Sequence, residues 1–168
     1  MNFFKPGSKN LITDVKDLFI GNSENELINT GSTILTCKDR FTASYRVLGG
    51  APGTRETDLL EPDKLVEKID ALVLSGGSAF GLEAASETVN LLRKDNKGYE
   101  VGNNKIPIVP GAIIFDLMNG GEKTWDKNPY IDLANRAYND LGSSFKLGSY
   151  GAGKGATAGN IKGGLGSA

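Results

Sequence analysis

The sequence predicts a layered α/β (α+β) domain, and three observations predict it. Short β-branched and aromatic runs fill residues 10–48, a continuous apolar run, ALVLS, occupies 71–75, and two later segments carry apolar residues at helical spacing. Strands interleaved with helices point to sheet and helix layers around one core. At 168 residues the chain has the length of one domain with a real interior, and no repeat or interdomain linker divides residues 1–168.

Taken in order, LITDV, DLFIG and GSTILTC read as strands, punctuated by turns at GNSENE and NTG. FTASYRVLGG ends in paired glycines, and APGTRETDLLEP is dense enough in Pro, Gly, Thr and charge to be an ordered loop. Leu65, Val66 and Ile69 predict a short helix before the buried strand ALVLS. After Gly76-Gly77, Leu82, Ala85, Val89 and Leu92 recur at helical spacing, with Gly98 placed to stop that helix. The order strand, glycine turn, helix aims backbone N–H groups at one point and favours negative charge there. IPIVPGAIIFDL predicts one or two further buried strands. Asn128 as cap and Pro129 at the first helical position open a second helix, whose apolar face is Ile131, Ala134, Ala137, Tyr138 and Leu141.

Composition narrows the chemistry. A formal net charge of -1 leaves no basic footprint for nucleic acid or an anionic membrane. Cys37 is the only cysteine, which fits a reducing compartment, and no apolar segment is long enough to span a bilayer, so a soluble, cytoplasmic protein is expected. The chain has no histidine. It cannot build a Ser-His-Asp or Cys-His apparatus from its own residues, and it lacks the ligands of a zinc site. Base chemistry falls to lysine, a carboxylate or a terminal amine, and no cofactor is expected.

Eight of the 23 glycines lie in the last segment, 148-GSYGAGKGATAGNIKGGLGSA-168. Such a run is either a flexible linker or backbone needed for close approach. Its GSYGAGKG fits G-x-x-x-x-G-K, but Gly155 stands where a phosphate loop needs a hydroxyl, and no helix pattern follows. GAGKGA fits G-x-G-x-x-A with the helix again missing. GGSAFG, 76–81, resembles a nucleophile elbow with Phe80 in place of the required glycine, so Ser78 reads as a helix cap. Lys162, in GNIKGGLG, has no acidic neighbour in sequence. It is either a solvated surface lysine or a desolvated base or proton relay.

GGAPGTRETDLL (49–60), LSGGSAFGLEAA (74–85), PIVPGAIIFDL (107–117) and GAGKGATAGNIKGGLGSA (151–168), preceded by LITDV, occur in one order that resembles the self-cleaving L-aminopeptidase/D-esterase, or DmpA-type, family. The match looks closest to its nylon-oligomer-hydrolase-like branch. The resemblance implies an αββα sandwich similar to that of N-terminal-nucleophile hydrolases. It also implies a precursor that cuts itself before a Ser or Thr, whose freed α-amine serves as base in place of histidine. In that pattern Lys162 matches the catalytic lysine, and Gly76, Gly77, Ser78, Ala79 and Phe80 line the substrate pocket. Lys154 stands where the family commonly has threonine, and Phe115 is nearest to a tyrosine that assists catalysis in some members. The family's pattern continues past KGGLGSA to an oxyanion asparagine and the cleavage junction. The chain is therefore expected to be a truncated N-terminal (α-chain) portion. Its expected partners are a C-terminal (β-chain) portion, a small peptide or amide substrate, and further αβ units in a homo-oligomer. A binding or structural domain that retained the pocket without catalysis is the alternative.

Overall fold

The computed structural model describes residues 5–167, and its centre is a mixed sheet. The strands are β1 (Leu18–Asn25), β2 (Thr30–Phe41), β3 (Thr54–Arg55), β4 (Ile69–Ser75), β5 (Tyr99–Val101), β6 (Asn104–Ile106), β7 (Gly111–Ile113), β8 (Thr157–Ala158) and β9 (Ile161–Lys162). Five of them form the sheet in the order β1-β2-β4-β7-β3, while β5-β6 and β8-β9 are separate antiparallel hairpins. All pairings in the sheet are antiparallel except β4 with β7, where Val73, Leu74 and Ser75 run beside Gly111, Ala112 and Ile113. The chain makes that parallel step through helix α1 (Glu83–Lys94), as a parallel crossover requires.

Helix α2 (Tyr130–Asn139) packs beside α1 on the same face of the sheet. Ile34, Ala71 and Val73 from the strands meet Ala84, Ala85, Leu92, Leu133, Ala134 and Ala137 from the helices in one buried cluster. Small alanines let the helices approach closely, and the larger Ile34, Leu92 and Leu133 each contribute roughly 1.5–3 kcal/mol by leaving water. Strand alternation sends the other residues to the opposite face. Leu72 is half-buried there and Leu74 is 45 % exposed. Leu35, Leu72 and Leu74 floor a trough of about 510 Å³, walled by Tyr45, Phe145 and Leu165. The described residues thus supply one helical layer and one sheet, with an apolar second sheet face. Among them no helix is long and apolar enough to cross a membrane.

ALVLS and both helices lie where the sequence places them, and other expectations need correction. LITDV is not a strand: Ile12–Asp14 form a 3-10 turn in which the Asp14 carboxylate gathers the amides of Lys9 and Leu11. GNSENE is not a turn, because β1 runs through Gly21–Asn25 in unbroken register with β2, and the reversal falls at 26–29. Leu65 and Val66 form no helix; Leu65 is exposed and Ile69 opens β4. IPIVPGAIIFDL gives one strand of the sheet, as the lower of the two counts expected, but β7 is only three residues long because Pro107 and Pro110 have no N–H to extend its ladder, and Ile106 closes β6. Helix α1 is stopped by Asn96 rather than Gly98. Asn96 takes the left-handed conformation, and the amides of Asn96 and Lys97 close onto the carbonyls of Arg93 and Leu92.

Candidate functional site

The predicted pocket segment begins where β4 ends. Gly77 and Ser78 both adopt left-handed backbone, at φ 86° and 53°, and lead into a 3-10 turn, Ser78–Leu82, that continues as α1. A non-glycine residue held there stores strain, which persists only where its surroundings fix it. Three hydrogen bonds do so. Gly77 donates its amide to Asp116 Oδ1 at 2.7 Å, Ser78 donates to the Ile114 carbonyl at 2.9 Å, and Asn128 Nδ2 donates to the Phe80 carbonyl at 2.9 Å. Asn128 also caps α2 as expected, accepting from the Tyr130 amide at 2.9 Å. Ser78, by contrast, caps nothing with its side chain. Gly76 and Gly77 are buried beneath the turn, while Ala79 and Phe80 face outward, Phe80 with its ring edge-on to Trp125.

The glycine-rich tail is ordered backbone. Gly151–Gly153 make a 3-10 turn against β1 and β2, with the Gly151 amide on Glu24 and the Ala152 amide on Thr33 Oγ1. No helix follows, which disposes of both phosphate-loop patterns. Hairpin β8-β9 then carries Lys162. Its ammonium donates to the carbonyls of Gly153 at 3.0 Å and Gly163 at 2.7 Å, and among the described residues it forms no ion pair. Of the two readings left open for Lys162, the solvated one fits its exposure. Lys154 instead pairs with Glu26. Phe115 is exposed beside the turn.

One fully buried side chain joins the turn to the tail, and the sequence reading missed it. Asp116 accepts from Gly77 and, through Oδ2, from the Thr30 hydroxyl at 2.5 Å; Thr30 in turn meets the Tyr130 hydroxyl at 3.0 Å. A Cβ on either Gly76 or Gly155 would run into the Asp116 carboxylate, so both segments press on it from different sides. The anion favoured by the glycine turn is therefore the protein's own carboxylate. Burial, with the neighbouring Asp116 charge, pushes the Tyr130 phenol well above its ordinary range, so it stays protonated. Asn119 fastens the tail a second time, donating to the Gly155 carbonyl at 2.7 Å. The available signal was an acid closing an apolar run, AIIFD; a charge in such a run has to find buried partners.

A small pocket of about 170 Å³ lies between the end of β4 and the tail, touched by Ser75, Ile114, Gly153 and Ala156. Gly153 is the residue whose carbonyl holds Lys162. Neither Gly76–Phe80 nor Lys162 lines this pocket, which is bounded by the strand end before the turn and by the tail around the hairpin. Among the described residues no cluster of acids and cysteine has metal-binding geometry.

Comparison with known proteins agrees with this architecture. The uncharacterized aminopeptidase Rv1333 of Mycobacterium tuberculosis is 48% identical over 120 residues, covering 71% of this chain and 34% of that protein. The uncharacterized aminopeptidase ML1167 of Mycobacterium leprae is 39% identical over 143 residues, covering 82% and 40%. This chain therefore spans a third to two fifths of the curated relatives it matches. Among solved structures, the L-aminopeptidase D-Ala-esterase/amidase of Ochrobactrum anthropi, described as a variant of the Ntn hydrolase fold, superimposes with TM-score 0.71 at 17% identity over 95% of this chain and 48% of its own. The PH0078 protein of Pyrococcus horikoshii OT3 does so with TM-score 0.72 at 19% identity, over 95% and 48%. Residues 10–168 match the profile of one family along nearly the whole chain, and the protein belongs to peptidase family S58.

Proposed function

We propose that this chain is the N-terminal, α-chain part of a self-processing amidohydrolase of the aminopeptidase type, in the nylon-oligomer-hydrolase-like branch. Its nucleophile is an N-terminal Ser or Thr on a C-terminal segment. That residue's hydroxyl attacks the amide or ester carbonyl while its own α-amine takes the proton; the C–N or C–O bond breaks, the amine or alcohol leaves with that proton, and water hydrolyses the acyl-enzyme. In this reading Gly76–Phe80 lines the substrate pocket and Lys162, a cation on fixed carbonyls, handles a proton at the reacting centre. The observation that carries the proposal is the meeting of the Gly76–Gly77 turn and the tail, at Gly155, on Asp116, since these segments are far apart in sequence.

The sheet's apolar face supports the same reading. A surface with Leu74 this exposed has the character of an interface, and a second sheet covering it would complete an αββα sandwich. The αβ unit then assembles into a homo-oligomer. The reading is tested by co-expressing the chain with the C-terminal segment of a relative and assaying an amino-acid p-nitroanilide. Turnover is expected from the pair and none from the chain alone; turnover by the chain alone would show that the nucleophile lies within it. A pair that associates without turnover would favour the binding-domain alternative.

A further inference from the structure

We propose that Asp116 is the positioning residue of this site, fixing the substrate-facing turn and the lysine-bearing tail at a set separation. The role rests on the hydrolase reading, but the geometry is independent of it. Asp116 is completely buried, and among the described residues its partners are hydrogen-bond donors and not cations. Its two oxygens are divided between two tasks.

Oδ1 takes the Gly77 amide, the donor at the start of the strained left-handed pair. Without an acceptor there, that buried amide would be unpaired, and the Gly76–Gly77 peptide would be free to rotate away. Oδ2 takes the Thr30 hydroxyl at the start of β2, and so ties the turn to a strand of the central sheet. Thr30 is held in turn by Tyr130, which is completely buried under Trp125 at the start of α2. The carboxylate is therefore anchored to both layers of the domain. Gly76 and Gly155 lie bare against it, so a shift of Asp116 moves the pocket segment and the tail together. Misplacement of reacting groups by about 1 Å costs on the order of 10²-fold in rate.

Asn is the informative replacement. It keeps the shape and can still accept from Gly77, while Thr30 can turn its proton toward Tyr130. In the isolated chain, Asp116→Asn should move the Gly77 amide proton upfield in the NMR spectrum, because a charged acceptor is replaced by a neutral one. The Ser78 amide, bonded to the Ile114 carbonyl, should stay in place. A Gly77 resonance that does not move would overturn the proposal whether or not the chain is a hydrolase. In the active pair, Asp116→Ala should lower kcat by about 10²-fold at nearly constant KM, and Asp116→Asn should restore part of the loss. Should the Ala variant fail to fold, Asp116→Asn still decides the question through kcat. Wild-type kcat with a lowered melting temperature would make Asp116 a merely structural residue and overturn the positioning role. No turnover by the wild-type pair would sink the hydrolase reading and leave the NMR result to judge Asp116.

Discussion

The ammonium of Lys162 donates to the carbonyl of Gly153, nine residues earlier in the chain, and so closes the glycine tail on itself. The loop so closed is pinned at its base, while Gly159 at the hairpin tip stands in open space. Gly155 lies on Asp116, and the Gly163 amide donates to the Ala156 carbonyl at 2.8 Å. Among the described residues the ammonium is held by backbone carbonyls and not by an acid.

Gly21 shows how closely the helical layer sits on the sheet. A Cβ added there would run into the Ala137 carbonyl of α2, which is backbone and cannot swing aside. Gly21→Ala is expected to cost roughly 1–3 kcal/mol, the range for overpacking a close-packed interior. Chemical denaturation measures it. An unchanged midpoint would mean that α2 does not rest on β1 this closely.

On the open sheet face a substitution should be tolerated by the chain itself. Leu74→Lys should change the stability of the chain alone by less than about 0.5 kcal/mol, since Leu74 is already 45 % exposed. It should also raise solubility and abolish association with a C-terminal segment. Co-purification reads the second effect. A Leu74→Lys chain that still pairs normally would place the partner on another surface.

How far the sequence could be read follows from the range of each interaction. ALVLS, α1 and α2 were legible because apolar spacing and the Asn128-Pro129 pair are local signals. The strand through GNSEN was not, because its polar residues are secured by partners on distant segments. Asn22 bonds Asp140 and Lys146, and Glu24 bonds Gly151. Ser78 and Lys162 are both picked out by local motifs, but the cap expected of Ser78 does not form, and local sequence left the surroundings of Lys162 open. Ser78 sits in strained backbone with no capping bond, and Lys162 lies in solvent rather than in a dry pocket. Asp116 and Thr30 are 86 residues apart in sequence, and nothing local announces their contact.

Tyr130 sets a pH dependence. Its folded-state pKa is raised by burial, then by the Asp116 charge, against an ordinary value near 10. The unfolded chain therefore releases this proton first, so Tyr130 adds full stability below pH 10 and loses it progressively above. Tyr130→Phe should be less stable than wild type at neutral pH by about 0.5–1.5 kcal/mol for the lost hydrogen bond to Thr30. Above pH 10 the gap should narrow by up to about 1.4 kcal/mol per pH unit. Melts from pH 7 to 11.5 check it, and a gap that widens with pH would contradict the sign.

The most direct test of the catalytic assignment is self-cleavage of a restored precursor carrying Lys162→Met, followed on a gel beside a thermal melt. Lys154→Thr is the comparison, since it removes only the pair with exposed Glu26 and should cost no more than about 1 kcal/mol, with cleavage nearly unchanged. A solvated lysine would leave both rate and melting alone, and a structural one would lower both together. Lys162→Met is expected to keep its melting temperature and to slow cleavage by roughly 10²–10⁴-fold, the range for one positioned acid–base group. Cleavage by Lys162→Met at the wild-type rate would contradict it.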